Sequence, residues 1–88
     1  MEKQLILKLK SEGFDKVYVW DGEPNEEDTN HSHLFDTKIV ILKGDIEIET
    51  NGKKSVLKSG DEMEIPRNKI HAAIVGLSGC RYIVAERR

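Results

Sequence analysis

His31-Ser32-His33-Leu34-Phe35-Asp36-Thr37-Lys38-Ile39-Val40-Ile41-Leu42-Lys43-Gly44 is the stretch whose reading decides the fold. Residues two apart in a strand point to the same face about 6 to 7 Å apart, so His31 and His33 can hold one metal ion between them. The run that follows, Thr37 to Lys43, is strongly β-prone. The chain's remaining histidine, His71, stands about forty residues further on, so it must reach the same ion from a different strand. That requires a closed or sandwiched β fold.

Working outward, β signals dominate from Lys16. Val17-Tyr18-Val19-Trp20 is β-branched and aromatic and stops at Asp21-Gly22, a strong turn pair. Glu23 to Asn30 reads as a polar, acidic loop leading into the histidine pair. Lys43-Gly44-Asp45 reads as a turn, and Ile46-Glu47-Ile48-Glu49-Thr50 alternates between one buried and one wet face. Asn51-Gly52 is the two-residue hairpin turn that right-twisted strands prefer, returning the chain through Lys53 to Leu57. Turns at Ser59-Gly60-Asp61, Pro66-Arg67-Asn68 and Gly76 to Gly79 separate Glu62 to Ile65, Ile70 to Val75 and Cys80 to Glu86. About seven or eight short strands at this spacing indicate a sandwich or barrel, not an α/β sheet.

Ahead of them, Glu2 to Glu12 places Leu5, Ile6 and Leu9 on one helical face, with an acid at its start, lysines in its last turn and Gly13 at the C-terminal cap. The alternation of Leu5, Leu7 and Leu9 would suit an edge strand instead, but Gly13 favours the helix. The expectation is one domain over residues 1–88, with a short N-terminal helix within 1–13 and an all-β barrel over 16–86.

A chain of 88 residues has a thin core that a partner subunit would help to cover. The formal charge of −2, with acids and bases interspersed, offers no basic stripe for nucleic acid. Cys80 is the single cysteine, and Lys8, Lys10 and Glu12 interrupt the apolar N-terminus, so the reading is a cytoplasmic protein with no membrane span.

With these residues in view, the chain resembles the cupins. Their first motif runs glycine, five residues, His-x-His, three or four residues, Glu, six residues, Gly; His31, His33, Thr37 and Gly44 stand at that spacing, with the leading glycine and the glutamate missing. The second runs Gly, five residues, Pro-x-Gly, two residues, His, three residues, Asn; Gly60, Pro66 and His71 match, while Asn68 and Val75 depart. The resemblance spans His31 to Val75, about half the chain. It implies a jelly roll, or double-stranded β-helix, commonly dimeric, with a divalent transition metal near the barrel mouth.

Three neutral imidazoles suit Zn, Fe, Ni, Mn or Cu, and such a ligand set does not choose among them. The family's glutamate ligand falls on Thr37, whose hydroxyl is a poor ligand for a divalent cation. Asp36 is the nearest carboxylate and a tentative fourth ligand, but neighbouring strand residues face opposite ways, so it reaches the metal only if the backbone bulges. A three-histidine site with open positions is the default, as Lewis-acid or oxygen chemistry would require.

Tyr18 and Trp20 share a face, and core or dimer interface is the favoured reading over pocket lining. Phe35 either walls the site or fills the barrel. Cys80 reads as a small buried hydrophobe. Ala72 to Val75 and Ile83 to Ala85 are apolar on both faces, which suggests a homodimer interface. The functional expectation is a small metal-binding cupin with a pocket for a small molecule. The alternatives are a metal-dependent oxygenase or isomerase, and a ligand-sensing or interaction module without a catalytic metal. No residue pair stands out as general acid and base.

Overall fold

The computed structural model describes residues 2–88; Met1 lies outside them. Helix α1 spans Glu2–Ser11, and six strands follow among the described residues: β1 Lys16–Gly22, β2 Glu27–His31, β3 Asp36–Thr50, β4 Lys53–Lys58, β5 Glu62–Ile65 and β6 His71–Arg87. No helix is long and apolar enough to cross a membrane.

The helix ends as its glycine predicts. Gly13 adopts φ +97°, its N–H donates to Lys10 O, and the Phe14 N–H reaches back to Leu9 O at 3.3 Å, the paired bonds of a Schellman cap. The cap folds Phe14 back onto the helix, so Phe14 and Leu9 bury together with Val40, Ile83 and Ala85. Arg81 ties the helix to the barrel, gripping Glu2 at 2.7 Å and Asp21 on β1.

Two long antiparallel strands, β3 and β6, run beside each other from Asp36↔Arg87 to Thr50↔His71 and form the spine. Each is flanked by different neighbours along its length. The later part of β6 pairs with β1 (Lys16↔Glu86 to Gly22↔Cys80) and the early part of β3 with β5 (Thr37↔Ile65). At the other end β6 pairs with β2 (Glu27↔Ile74, His31↔His71), and β3 with β4 (Ile46↔Leu57, Thr50↔Lys53). The result is two facing sheets that share both spine strands, the jelly-roll arrangement expected from the sequence. At the β3–β4 hairpin Asn51 and Gly52 both have positive φ, +51° and +76°, as a type I′ turn demands.

The fold departs from the sequence reading in two places, with one cause: backbone pairing continued where side-chain pattern suggested a break. Lys43-Gly44-Asp45 and Gly76 to Gly79 are not turns between strands. They are opposed irregularities inside β3 and β6, where Gly44↔Cys80 is followed by Ile46↔Val75. The inward set on β3 is Ile39 and Ile41 before the irregularity and Ile46 and Ile48 after it; on β6 it is Ala73 and Val75, then Cys80 and Tyr82. Leu42 and Asp45 on β3 and Gly76 to Gly79 on β6 have no partner in the ladder, and these irregularities reset the alternation so that both halves turn the same face inward as the spine bends. Gly44 permits this at φ +82°: a Cβ there would lie 2.0 Å from Gly79 O. Similarly, Glu27 to Asn30, read as part of a polar loop, joins His31 in β2, whose residues are exposed except for the half-buried His31. An edge strand held by its backbone bonds needs no apolar alternation, so β propensity did not mark it.

The outer face of the β1–β6–β3 region is covered by α1. Ile83 and Ala85, completely buried, pack there with Val17, Val19, Leu5 and Ile6. The two-sided apolar character of Ile83 to Ala85 is therefore accounted for within the chain, whereas Ile74 keeps 42% of its surface exposed.

Candidate metal centre

The register places the histidines. His31, the last residue of β2, is directly opposite His71, the first of β6, whose other neighbour is Thr50 on β3. His33 follows two residues after β2, and its carbonyl accepts a 2.7 Å hydrogen bond from the Asn68 N–H, pinning the His33 segment to the turn that leads into His71. The rings converge, with centroids 4.2 Å apart for His31 and His71, 4.8 Å for His31 and His33, and 5.1 Å for His33 and His71. One nitrogen from each lies within 4.8 Å of the others.

Hydrogen bonding sets the tautomers of two of them. His31 Nδ1 is 2.6 Å from Thr29 O, and His71 Nδ1 is 3.0 Å from Lys69 O. A carbonyl oxygen only accepts, so both Nδ1 atoms carry a proton, and in the neutral form of each ring it is Nε2 that presents the lone pair through which imidazole binds metal. Burial, with the neighbouring His31 and His71, pushes the pKa of His33 below its ordinary value, which favours the neutral ring. Three nitrogens around a tetrahedral ion at about 2.1 Å are about 3.4 Å apart, so small rotations of the rings close the set. The donor set fits a divalent transition-metal ion.

Asp36 is not part of the cluster. Its carboxylate accepts the Arg67 backbone N–H at 2.9 Å and lies 3.4 Å from Arg67 Nε. These bonds from Arg67 hold its pKa below the usual carboxylate value. The tentative assignment of Asp36 as a ligand is therefore corrected: without a bulge at this point, the alternation of β3 turns Thr37 inward and Asp36 away, where it fastens the Pro66-Arg67-Asn68 turn ahead of His71.

Thr37 lies on the cavity wall with the three imidazoles and is 6% exposed. Among the described residues its Oγ1 is the buried side-chain polar atom with no hydrogen-bond partner. Directly opposite in the β3–β6 ladder is Glu86, also 6% exposed, which the sequence reading passed over. Glu86 shares parity with Tyr82 and Val84, and that parity was the available signal. Its carboxylate accepts from Arg88 Nη2 at 2.8 Å and from the Tyr18 hydroxyl at 3.4 Å. Burial, reinforced by Glu86, pushes the Tyr18 pKa up, so the phenol stays protonated.

The histidines open into a cavity of about 320 Å³. Its floor is aliphatic, with Ile39, Ile46, Ile48 and Ile65, and Tyr18, Trp20 and Tyr82 stand along one wall. Tyr18 and Trp20 thus line the pocket, contrary to the expectation of core or dimer interface, because β1 turns Val17 and Val19 to the helix and the alternate residues to the cavity. The acidic segment does border the mouth: Glu26 and Asp28 line it, and Glu26 accepts the Trp20 indole N–H at 2.8 Å and the Glu23 N–H at 3.1 Å. Phe35 walls the site by stacking on His33, with ring centroids 4.8 Å apart, while Arg88 covers it at 4.5 Å. Cys80 is buried deeper in the barrel, where desolvation raises its thiol pKa to about 11.

No protein-family model and no curated protein matches the sequence. Solved structures do match in fold. KdgF from Halomonas sp. superposes with a TM-score of 0.71 at 22% identity, over 82% of this chain and 67% of that one. A cupin superfamily protein from Desulfitobacterium hafniense gives 0.71 at 23% identity, over 84% and 70%. An RmlC-like cupin from Shewanella frigidimarina gives 0.71 at 18% identity, over 82% and 65%.

Proposed function

We propose that this chain, whose fold is that of the cupins, binds one divalent transition-metal ion through His31, His33 and His71 and receives a small molecule in the cavity beside it. The observation that carries the reading is the convergence of the three rings, with Nδ1–H···O=C bonds from His31 and His71 that leave each Nε2 as the available donor beside His33. Such an ion, when bound, supplies a Lewis-acidic centre with coordination positions not taken by protein.

The chain's own groups do the rest. The isoleucine floor keeps water from the deep side of the cavity and favours an apolar portion of a ligand. Trp20, fixed by Glu26, and Tyr18, fixed by Glu86, give that ligand two flat surfaces of defined orientation. The protonated Tyr18 hydroxyl is a hydrogen-bond donor on that wall, and the buried Glu86 beside it is matched by Arg88. A metal-dependent enzyme acting on a small molecule is the extension of this reading that the cavity beside the histidines supports.

The test is metal content of untagged protein purified without chelator. The expected result is close to one ion per chain, lost in His71→Ala. Under about 0.1 ion per chain after incubation with Zn²⁺ or Co²⁺, against the tight binding that three imidazoles provide, sinks the reading. A homodimer belongs to the same proposal, supported by the exposed Ile74 and Leu77; a monomer mass by light scattering would remove it.

A further inference from the structure

Thr37 Oγ1 is the unexplained polar atom of this fold. A hydroxyl buried without a partner is costly, and Val would fill the same volume without that cost. The nearby carboxylates are already engaged: Glu86 with Arg88 and Tyr18, Glu26 with Trp20 and the Glu23 N–H, and Asp36 with Arg67 on the far face. Asp28 is exposed at the rim. No carboxylate belongs to the cluster, so its three donors are all neutral imidazoles. No carboxylate is among the ion's donors, so its charge is offset only from a distance, by Glu86 and Asp28, which lie near enough to act on His33, and a hydroxyl that can donate waits unpaired on the same cavity wall.

We infer that the ion's remaining position is filled from outside the chain by a small anionic oxygen or nitrogen donor, and that Thr37 holds it by donating a hydrogen bond. The inference rests on the metal reading above and adds the ligand class and the residue that selects it. Thr37 then acts as a specificity-determining group on the incoming ligand and not as a ligand to the metal. This explains why a polar residue occupies so dry a position. The anion balances charge that the three imidazoles leave uncompensated, and its lone pair satisfies the Thr37 hydroxyl.

The experiment uses the whole chain loaded with Co²⁺, whose visible absorption reports coordination, titrated with sodium azide. Wild type, Thr37→Val and Thr37→Ser are compared. The expected result is equal Co²⁺ affinity in all three, with azide bound about tenfold or more weakly by Thr37→Val, the loss of one hydrogen bond to a charged acceptor, and restored by Thr37→Ser. Melting of the metal-free proteins is an independent readout: Thr37→Val should melt no lower than wild type, because it removes an unpaired buried hydroxyl. Equal azide affinity in wild type and Thr37→Val overturns the role of Thr37, as does a Thr37→Val apoprotein that melts lower. A Co²⁺ spectrum indifferent to azide in wild type overturns the open anion position while leaving the metal reading intact. Failure of wild type to bind Co²⁺ overturns both.

Discussion

Replacing Gly44 with alanine tests the bend on which the cavity depends, and Gly60→Ala is its internal control. Both glycines have positive φ, +82° and +92°, so each substitution incurs the left-handed backbone penalty of an L-residue, about 1–2 kcal/mol. They differ in space. Nothing lies within 4 Å of a Cβ built on Gly60, whereas one on Gly44 would be 2.0 Å from Gly79 O and 3.0 Å from Cys80 Cα. The atoms in the way are backbone of the paired strand, which has no rotamer to move, so β3 and β6 must part by more than about 1 Å beside the close-packed core residues Cys80 and Ile46. Gly60→Ala should therefore cost about 1–2 kcal/mol and Gly44→Ala about 3–5 kcal/mol, the range of buried-core strain. For a domain of this size the midpoint falls roughly 4–8 °C per kcal/mol, so the two variants should separate clearly in thermal melts as well as in urea. Trp20, the only tryptophan, reports unfolding by fluorescence, with far-UV circular dichroism as the second probe. Equal losses, within about 0.5 kcal/mol of each other, would refute the claim that the opposed irregularities are a fixed steric device.

Metal binding should stabilise the fold by mass action: at free Zn²⁺ about 100 times its Kd the gain is about 2.7 kcal/mol, measured as a rise in melting temperature that His71→Ala abolishes. Metal affinity should fall as pH drops below about 6.5, since imidazole must lose its proton to ligate; a pH-flat affinity would point to carboxylates instead. Asp36→Asn should melt lower than wild type at neutral pH yet bind Zn²⁺ with unchanged stoichiometry. Because Arg67 depresses the Asp36 pKa, the carboxylate's contribution is present above the ordinary value of 3.8 and is lost as pH falls through the folded value, so the two melting curves should converge in acid. Cys80, with its pKa raised to about 11, should ignore a thiol-specific disulfide reagent near neutral pH until the protein is unfolded.

What the sequence disclosed is what short-range physics determines. Asn51-Gly52 needed only its own two backbones to announce a type I′ hairpin, and Gly13 with Phe14 needed only the preceding turn of helix. Ile46-Glu47-Ile48 displayed its buried face because sheet burial repeats every two residues. The strand β2 was hidden because its residues are held by pairing with Ile74, Ala73 and His71 on β6, 40 to 47 positions away, and not by any property of Glu27 to Asn30. The breaks at Lys43-Gly44-Asp45 and Gly76 to Gly79 look like turns singly; only when β3 and β6 lie side by side do the two interruptions face each other and become one bend.

The site follows the same division. The histidines were legible because His31 and His33 are close in sequence and the strand count demanded a closure that could return His71. The placement of Glu86 opposite Thr37 was legible only as far as its parity with Tyr82 and Val84, since the register that pairs the two residues is a property of two strands far apart in the chain. That reset also decides the chemistry. With one residue fewer in β3 between Ile41 and Ile46, the face carrying Thr37 would turn out to the helix side and the face carrying Asp36 and Lys38 would turn in. The cavity would then hold an ion-pairing carboxylate and an ammonium beside the imidazoles, in place of an unpaired hydroxyl. The reset on β3 falls at Leu42, where Ile41↔Tyr82 gives way to Lys43↔Arg81, and the left-handed Gly44 beside it lets the bent strand lie close against Gly79 O; through that step the sequence turns neutral donors, not charged ones, toward the cavity.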